Sequence, residues 1–513
     1  MWPDPRDLPE LSPHQQERAA LAVSAAGPHA AHPPRIGLLT GSPGTGKTFT
    51  AAALIRAVVA REGESSIAVA APTGKAAVRV TAALAAYGLT LKASTIHSLL
   101  KVATADDLAT ASTAARTSGD GFSFAHGPGF PLPFRFLVVD ESSMIDTGLM
   151  ASFLSACAAD TSVVFVGDPN QLPPVGHGAP LRDFLAAGVA CGELTEIRRN
   201  AGTIVRACAA IRDGDRRLRA ASRIDLTAED PANLFVSRAR GPEMAARVVA
   251  AVDAAGLDGL DRTWEVQVLC AVNRRSPVSR RDLNLLLQSH LNPRPAVPGS
   301  PFRLDDKVVC LKNSWLRVNR PGAGGSGSGE AIGGPQALDP GAAKPNDDGK
   351  VFVANGELGR VVHVAEGLFV ARLESPTRCV VVPRGKAKGD GDGSGAGDGD
   401  DRDGTGADDE SASGPAIDTG CQWDLGYALS CHKAQGSEWP VVVVALDESA
   451  GARRVCSREW LYTAISRGKR LTILVGQQAT AEEMIARPAL GKRKTFLVER
   501  IGEQKTRADG DRQ

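Results

Sequence analysis

Short apolar runs alternate with longer Ala-rich stretches through the first half of the chain. The runs Arg35–Thr40, Ile67–Ala71, Phe136–Asp140 and Val163–Gly167 each end on a polar residue or glycine. Stretches with helical character, 49–61 and 75–87, follow the first two. Continuous rather than alternating hydrophobicity predicts strands buried on both faces, so the pattern predicts a parallel sheet covered by helices. Ligands of such sheets sit at the carboxyl ends of the strands. A second set of runs, at 266–271, 441–446 and 471–475, predicts a second sheet of the same kind. Between them the texture changes. Residues 302–311 (F-R-L-D-D-K-V-V-C-L) and 351–382 are rich in valine and alternate, which predicts a small antiparallel barrel.

Two segments carry almost no bulky apolar residues. Residues 319–348 are rich in Gly, Pro and Ala, and 385–416 in Gly and Asp; both are predicted to be disordered loops. The spacing D-G-D-G-S-G in the second resembles a calcium loop. Without flanking amphipathic helices it reads as a solvated acidic linker.

At 513 residues the chain exceeds one hydrophobic core, and its net charge is +1. Any contact with nucleic acid must therefore come from local basic patches. The nine cysteines are scattered without a C-x-x-C pair, which argues against a zinc site or disulfide framework and for a reducing, cytoplasmic setting. The N-terminus lacks a basic start and apolar core, and no apolar run reaches the roughly 18 residues of a membrane span.

The chemistry is concentrated at strand ends. Residues 41–48 read Gly41, Ser42, Pro43, Gly44, Thr45, Gly46, Lys47, Thr48, between a strand and a helix. That is the context a phosphate-binding loop requires. Its glycines let backbone N–H groups wrap phosphates, Lys47 reaches the terminal phosphates, and Thr48 holds Mg²⁺. In F-L-V-V-D-E-S-S-M (136–144), Asp140 acts on Mg²⁺ through its water shell and Glu141 polarises the attacking water. In V-F-V-G-D-P-N-Q-L-P-P-V-G (164–176), Asp168 caps a turn. Gln171 is placed to bond a γ-phosphate or the attacking water. Arginines in L-T-E-I-R-R-N (194–200) and Y-T-A-I-S-R-G-K-R (462–470) supply Arg199 and Arg467, to neutralise charge on the transferring phosphoryl group.

Taken in this order, the motifs resemble the superfamily 1 helicases, in particular the RecD-like branch (exodeoxyribonuclease V alpha-subunit relatives), over residues 8–478 outside the two low-complexity loops. L-S-P-H-Q-Q-E-R-A (11–19) is similar to the family's glutamine motif, which places Gln15 on the adenine. A-P-T-G-K-A-A (71–77) and A-S-T-I-H-S-L-L (93–100) resemble its first DNA-contact motifs, implying roles for Thr73, Lys75, Thr95 and His97. Y-A-L-S-C-H-K-A-Q-G-S-E-W (427–439) resembles its fifth motif. By that likeness Gly436 and Glu438 lie near nucleotide, and His432 and Lys433 near DNA.

The implied fold is α/β: two RecA-like P-loop motor domains with a small SH3-like β-barrel inserted in the second. The implied division is an N-terminal segment (1–34), a first motor domain (35–193), a second in two parts (194–300 and 417–478), the insertion (301–384), the acidic linker (385–416) and a C-terminal tail (479–513). Residues 121–134 occupy the position of the family's strand-separating pin, with Phe122 or Phe124 either blocking a duplex strand or packing the loop. Trp315, Trp423 and Trp439 either stack bases or pack the core.

The implied function is ATP- and Mg²⁺-dependent translocation on single-stranded DNA, and unwinding of tailed duplexes, 5′ to 3′ by resemblance. Repair or recombination proteins are possible partners, and no membrane is involved. Two alternatives stand beside it: a P-loop kinase or GTPase-type switch indifferent to DNA, and an ATP-gated DNA-binding subunit of a larger recombination complex.

Overall fold

The computed structural model describes residues 2–25, 35–101, 124–196, 202–256, 259–319, 349–374, 377–384, 421–493 and 495–510. Both low-complexity segments, apart from Asn319, and the Arg198–Asn200 stretch lie outside them.

Strands β1 (Arg35–Gly41), β2 (Ile67–Ala71), β3 (Ser94–Thr95), β4 (Phe136–Val139), β5 (Ser162–Gly167) and β6 (Cys191–Leu194) form one parallel sheet in the order β3-β2-β4-β5-β1-β6. Helices cover both faces, as buried strands demand. Pro13–Ala25, Lys47–Glu62 and Gly74–Ala86 bury Ala22, Leu54, Ile55 and Val80 on one side. Thr147–Ser155 and Pro180–Ala186 bury Met150, Phe153 and Phe184 on the other.

Strands β7 (Leu234–Ser237) and β8 (Val266–Cys270) open the second half. The chain then forms β9 (Lys307–Cys310), β10 (Ser314–Arg317), β11 (Lys350–Val353), β12 (Leu358–Ala365), β13 (Leu368–Glu374), β14 (Thr377–Pro383) and β15 (Trp423–Leu425). It returns with β16 (Ala428–Ser430), β17 (Trp439–Ala445) and β18 (Gly468–Val475). The second parallel sheet runs β16-β8-β17-β18-β7.

The intervening strands make an antiparallel sheet in the order β14-β13-β12-β9-β15 and a hairpin of β10 and β11, joined by a bridge between Val318 and Val380. One hydrophobic core spans this antiparallel layer (Phe302, Phe369, Trp423) and the inner face of the second parallel sheet (Val266, Val443, Ile473).

The α/β reading holds, with strand ends shifted by a residue or a few. Strands β3, β6 and β7 carry no long apolar run; pairing to a neighbour, not composition, makes them strands. Described residues of the segment read as a C-terminal tail are built into the fold. Helix Leu497–Gly510 lies against Pro180–Ala186, and Leu497 and Ile501 join the core of the first sheet.

Candidate nucleotide and DNA site

The phosphate-binding loop follows β1 and opens helix Lys47–Glu62. Gly44 and Gly46 have φ of 85° and 86°, conformations that other residues rarely adopt. Gly41 is fixed by space: a Cβ there would lie 2.6 Å from Thr45 Oγ1 and 2.7 Å from the Leu194 carbonyl. Lys47 Nζ donates to the carbonyls of Gly41 (2.7 Å) and Ser42 (3.1 Å), which aims its charge into the loop.

The acidic pair stands at the end of β4. Asp140 and Glu141 are both buried, and the Glu141 amide donates to the Asp140 carboxylate at 2.8 Å. Burial and the neighbouring Glu141 push the Asp140 carboxyl above its ordinary value, while Arg79 and Lys47 draw it back. Glu141 sits at φ 51°, left-handed for a residue with a side chain, the kind of backbone strain that collects at functional sites. Its carboxylate meets Arg79 Nη2 at 3.3 Å.

Beside them the loop after β5 is tied by Asp168, which accepts from the Asn170 amide at 3.0 Å. Gln171 is buried, with Nε2 at 3.5 Å from Asp168 and Oε1 without a partner among the described residues. Gln15 is buried too. Its Oε1 accepts from the Ser12 amide at 3.2 Å, and its Nε2 has no partner among the described residues. These groups fit a nucleotide with its cation. An adenine acceptor would satisfy Gln15, a γ-phosphate or water would satisfy Gln171, and the Thr48 hydroxyl and Asp140 carboxylate supply the hard oxygen ligands Mg²⁺ prefers.

The second half closes over this loop. Tyr462, on helix Arg458–Ile465, donates to the Asp168 carboxylate at 2.9 Å. Thr463 Oγ1 accepts from the Leu172 amide at 2.8 Å, and Gln435 Nε2 donates to the Leu172 carbonyl at 3.3 Å. Gly436 lies at φ 73°, and a Cβ on it would be 4.0 Å from Glu141 Oε1. Glu438 pairs with Lys469 at 3.8 Å. Arg467 is buried and turned onto its own half, donating to the carbonyls of Thr463 (3.1 Å) and Ser437 (3.3 Å). Arg199 lies outside the described residues.

A cleft of about 410 Å³ opens between the two halves and the antiparallel layer. Thr73, Lys75, His97, His432 and Lys433 line it, together with Asn273, Arg280, Asn313 and Asn355. Thr95 is not among its lining residues; its hydroxyl caps helix Ile96–Leu100 by accepting from the Ser98 amide at 3.0 Å. Lys75 is half-buried beside Trp439, its Nζ shielded from solvent, 5.7 Å from the ring and without a hydrogen-bond partner among the described residues. Burial brings its amine down to about 8, and that of Lys433, which donates to Asn355 at 3.0 Å, also to about 8.

The aromatic candidates separate. Phe124 is buried against the first sheet's core and tilted against His97, so it packs the loop; Phe122 lies outside the described residues. Among the described residues of this segment the exposed aromatic is Phe130, 60% exposed, stacked at 4.7 Å on His126 beside the Gly127–Phe130 bridge. Trp423 and Trp439 are core, whereas Trp315 is 57% exposed on β10. Sequence reading passed over Arg79, Tyr462 and Thr463 as contacts. For Arg79 a signal existed: it falls four residues after Lys75, on the same helix face.

Fold and site together define a P-loop α/β core of two parallel sheets meeting at a nucleotide loop. Comparison with known proteins agrees. The AAA domain family matches residues 15–229, and the UvrD-like helicase C-terminal domain matches 425–475. The chain is similar in sequence to the RecD and RecD2 helicases. It is 30% identical over 473 residues to the ATP-dependent RecD2 DNA helicase of Deinococcus radiodurans, covering 91% of this chain and 50% of that one. It is 29% identical over 490 residues to the RecBCD enzyme subunit RecD of Mycolicibacterium smegmatis, covering 90% and 72%. The chain thus spans half the length of the first relative. Among solved structures, one of two Pif1 helicases at forked double-stranded DNA aligns over 92% of this chain and 94% of that one, at 15% identity and a TM-score of 0.45.

Proposed function

We propose that this chain is an ATP-driven DNA helicase or translocase that moves 5′ to 3′ on single-stranded DNA, in repair or recombination. The observation that carries the reading is the placement of the nucleotide loop. Residues of the first half (Lys47, Asp140, Glu141, Gln171) share one site with Tyr462, Thr463, Gln435 and Gly436 of the second. A ligand held there touches both halves, so its hydrolysis changes how they meet.

The cleft lined by Thr73, Lys75, His432 and Lys433 is formed by the same two halves. A strand gripped by both is therefore moved as they open and close. Contacts of this kind, to phosphate and sugar, are indifferent to sequence, as a motor requires.

Within the site, Glu141 takes the proton from the attacking water and Gln171 orients that water. Thr48, and Asp140 through the metal's water shell, would hold Mg²⁺, which when bound would supply neutralising charge at the phosphates. Arg199 and Arg467 are assigned to the developing phosphoryl charge. For Arg467 this requires its guanidinium to leave the Ser437 carbonyl as the halves close. The antiparallel layer over 301–384 is read as the SH3-like insertion between the two parts of the second motor domain, and Phe130 as the tip of the strand-separating pin.

A second reading is a motor that works only inside a complex, favoured by one relative being named a subunit of the RecBCD enzyme. Unwinding of duplexes bearing a single 5′ or 3′ tail by the purified chain tests both. Unwinding from the 5′ tail alone supports the first reading. ATP hydrolysis without unwinding of either substrate supports the second, and unwinding from the 3′ tail contradicts the direction.

A further inference from the structure

Arg79 stands where the two candidate sites meet. It lies on helix Gly74–Ala86, whose first turn (Thr73, Gly74, Lys75) lines the cleft between the halves. One turn further along, its guanidinium does two things. Nη2 pairs with Glu141 Oε1 at 3.3 Å, and Nη1 donates to the Gly436 carbonyl at 2.7 Å. One side chain thus joins the proposed base of the first half to the second half, next to the strained Glu141 backbone. The guanidinium engages one of the two carboxylate oxygens and so fixes the direction in which Glu141 points.

We propose that Arg79 is a positioning residue that acts as a brake. It holds Glu141 off the attacking water until single-stranded DNA enters the cleft. DNA bearing on the first turn of the helix moves the helix relative to Gly436, and the pair with Glu141 is given up. The inference rests on the reading of the cleft as a DNA site, and it adds to that reading the route by which DNA would switch hydrolysis on. A helix is a suitable lever, because residues 75 and 79 move as one body over a single turn. Gly436 is a suitable stop, because its carbonyl is offered by the other half.

The test compares wild type, Arg79→Gln and Arg79→Lys by steady-state ATP hydrolysis with and without oligo-dT. Backbone hydrogen exchange over 139–146 is measured alongside, and thermal melting establishes that each variant is folded. Arg79→Gln is expected to raise DNA-free turnover about fivefold or more, the lower end of coupling between two sites, with little change in the DNA-saturated rate. The ratio between the two rates therefore collapses. Exchange over 139–146, which DNA raises in wild type, is already high in the variant without DNA. Arg79→Lys keeps the charge with a single donor and restores part of the ratio.

A folded Arg79→Gln with an unchanged ratio, beside a wild type that DNA stimulates, overturns the brake and leaves the motor intact. So does a variant whose two rates fall together. A wild type indifferent to DNA overturns the DNA reading and the brake with it.

Discussion

The Tyr462 hydroxyl donates to the Asp168 carboxylate at 2.9 Å across the junction between the two halves. Both groups are buried, so neither has water to fall back on. The carboxylate also ties the turn that carries Gln171. A side chain of the second half therefore holds the loop of the first that carries Gln171. Tyr462→Phe removes the hydroxyl and keeps the ring. A hydrogen bond to a charged group contributes about 1.5–3 kcal/mol, and a loss of about 1.4 kcal/mol in the transition state is tenfold in rate. Turnover is expected to fall about tenfold or more, with ATP affinity nearly unchanged, measured by initial rates against ATP concentration. An unaltered kcat would show that this contact does not support catalysis.

Burial controls the behaviour of Lys307. It has no exposed surface, donates to the Thr263 carbonyl at 2.7 Å and lies 5.6 Å from the Trp264 ring. Its amine is brought down to about 7, chiefly by desolvation, with Asp261 pulling it up and Lys75 down. In the unfolded chain the amine keeps its ordinary value of 10.5. Above pH 7 the unfolded state therefore binds more protons than the folded one, and this residue makes stability rise with pH between about 7 and 10. Denaturation midpoints taken at pH 7, 8 and 9 should climb more steeply in wild type than in Lys307→Met. Parallel slopes would refute the assignment.

The chain beyond the second parallel sheet straps the halves together. Arg493 Nη1 donates to the carbonyls of Gly176 (2.6 Å) and Gly178 (3.1 Å). Glu459, on the helix of Tyr462, accepts from the amides of Ala489 (2.8 Å) and Leu490 (3.3 Å). Arg182 of the first half reaches the Leu490 and Arg493 carbonyls. Arg493→Ala should lower the melting temperature and expose 486–493 to limited proteolysis. Resistance equal to wild type would show that the strap is held elsewhere.

Phe130 is the exposed ring among the described residues of the segment read as a pin. Phe130→Ala is expected to leave DNA-stimulated ATP hydrolysis within about twofold of wild type, because the ring lies on the solvent face and surface changes of this kind are worth little. Unwinding of a tailed duplex should fall by a much larger factor. Equal losses in both assays, or in neither, would remove it from strand separation.

The parallel sheets were legible because buried strands are written as continuous apolar runs, and Val138, Val164 and Val443 sit where those runs place them. The loop at 41–48 was legible because phosphate binding needs glycine at fixed spacing. Contacts between the halves were not. Tyr462 reads as one more aromatic on an amphipathic helix, and its partner lies 294 residues away. Only the assembled fold selects Asp168 from the many carboxylates that could pair with it. The same applies to Phe124, whose neighbours turn a candidate wedge into core, and to helix Leu497–Gly510, where weak local hydrophobicity gave no sign of docking on the first half.

The central claim is that ATP hydrolysis at the loop is coupled to single-stranded DNA in the cleft. The most direct measurement is steady-state ATP hydrolysis by the purified chain, with and without oligo-dT, beside Lys47→Ala. Strong stimulation by DNA, abolished in Lys47→Ala, is the predicted result. Turnover that persists at the same rate with and without DNA would contradict the claim and favour a nucleotide switch.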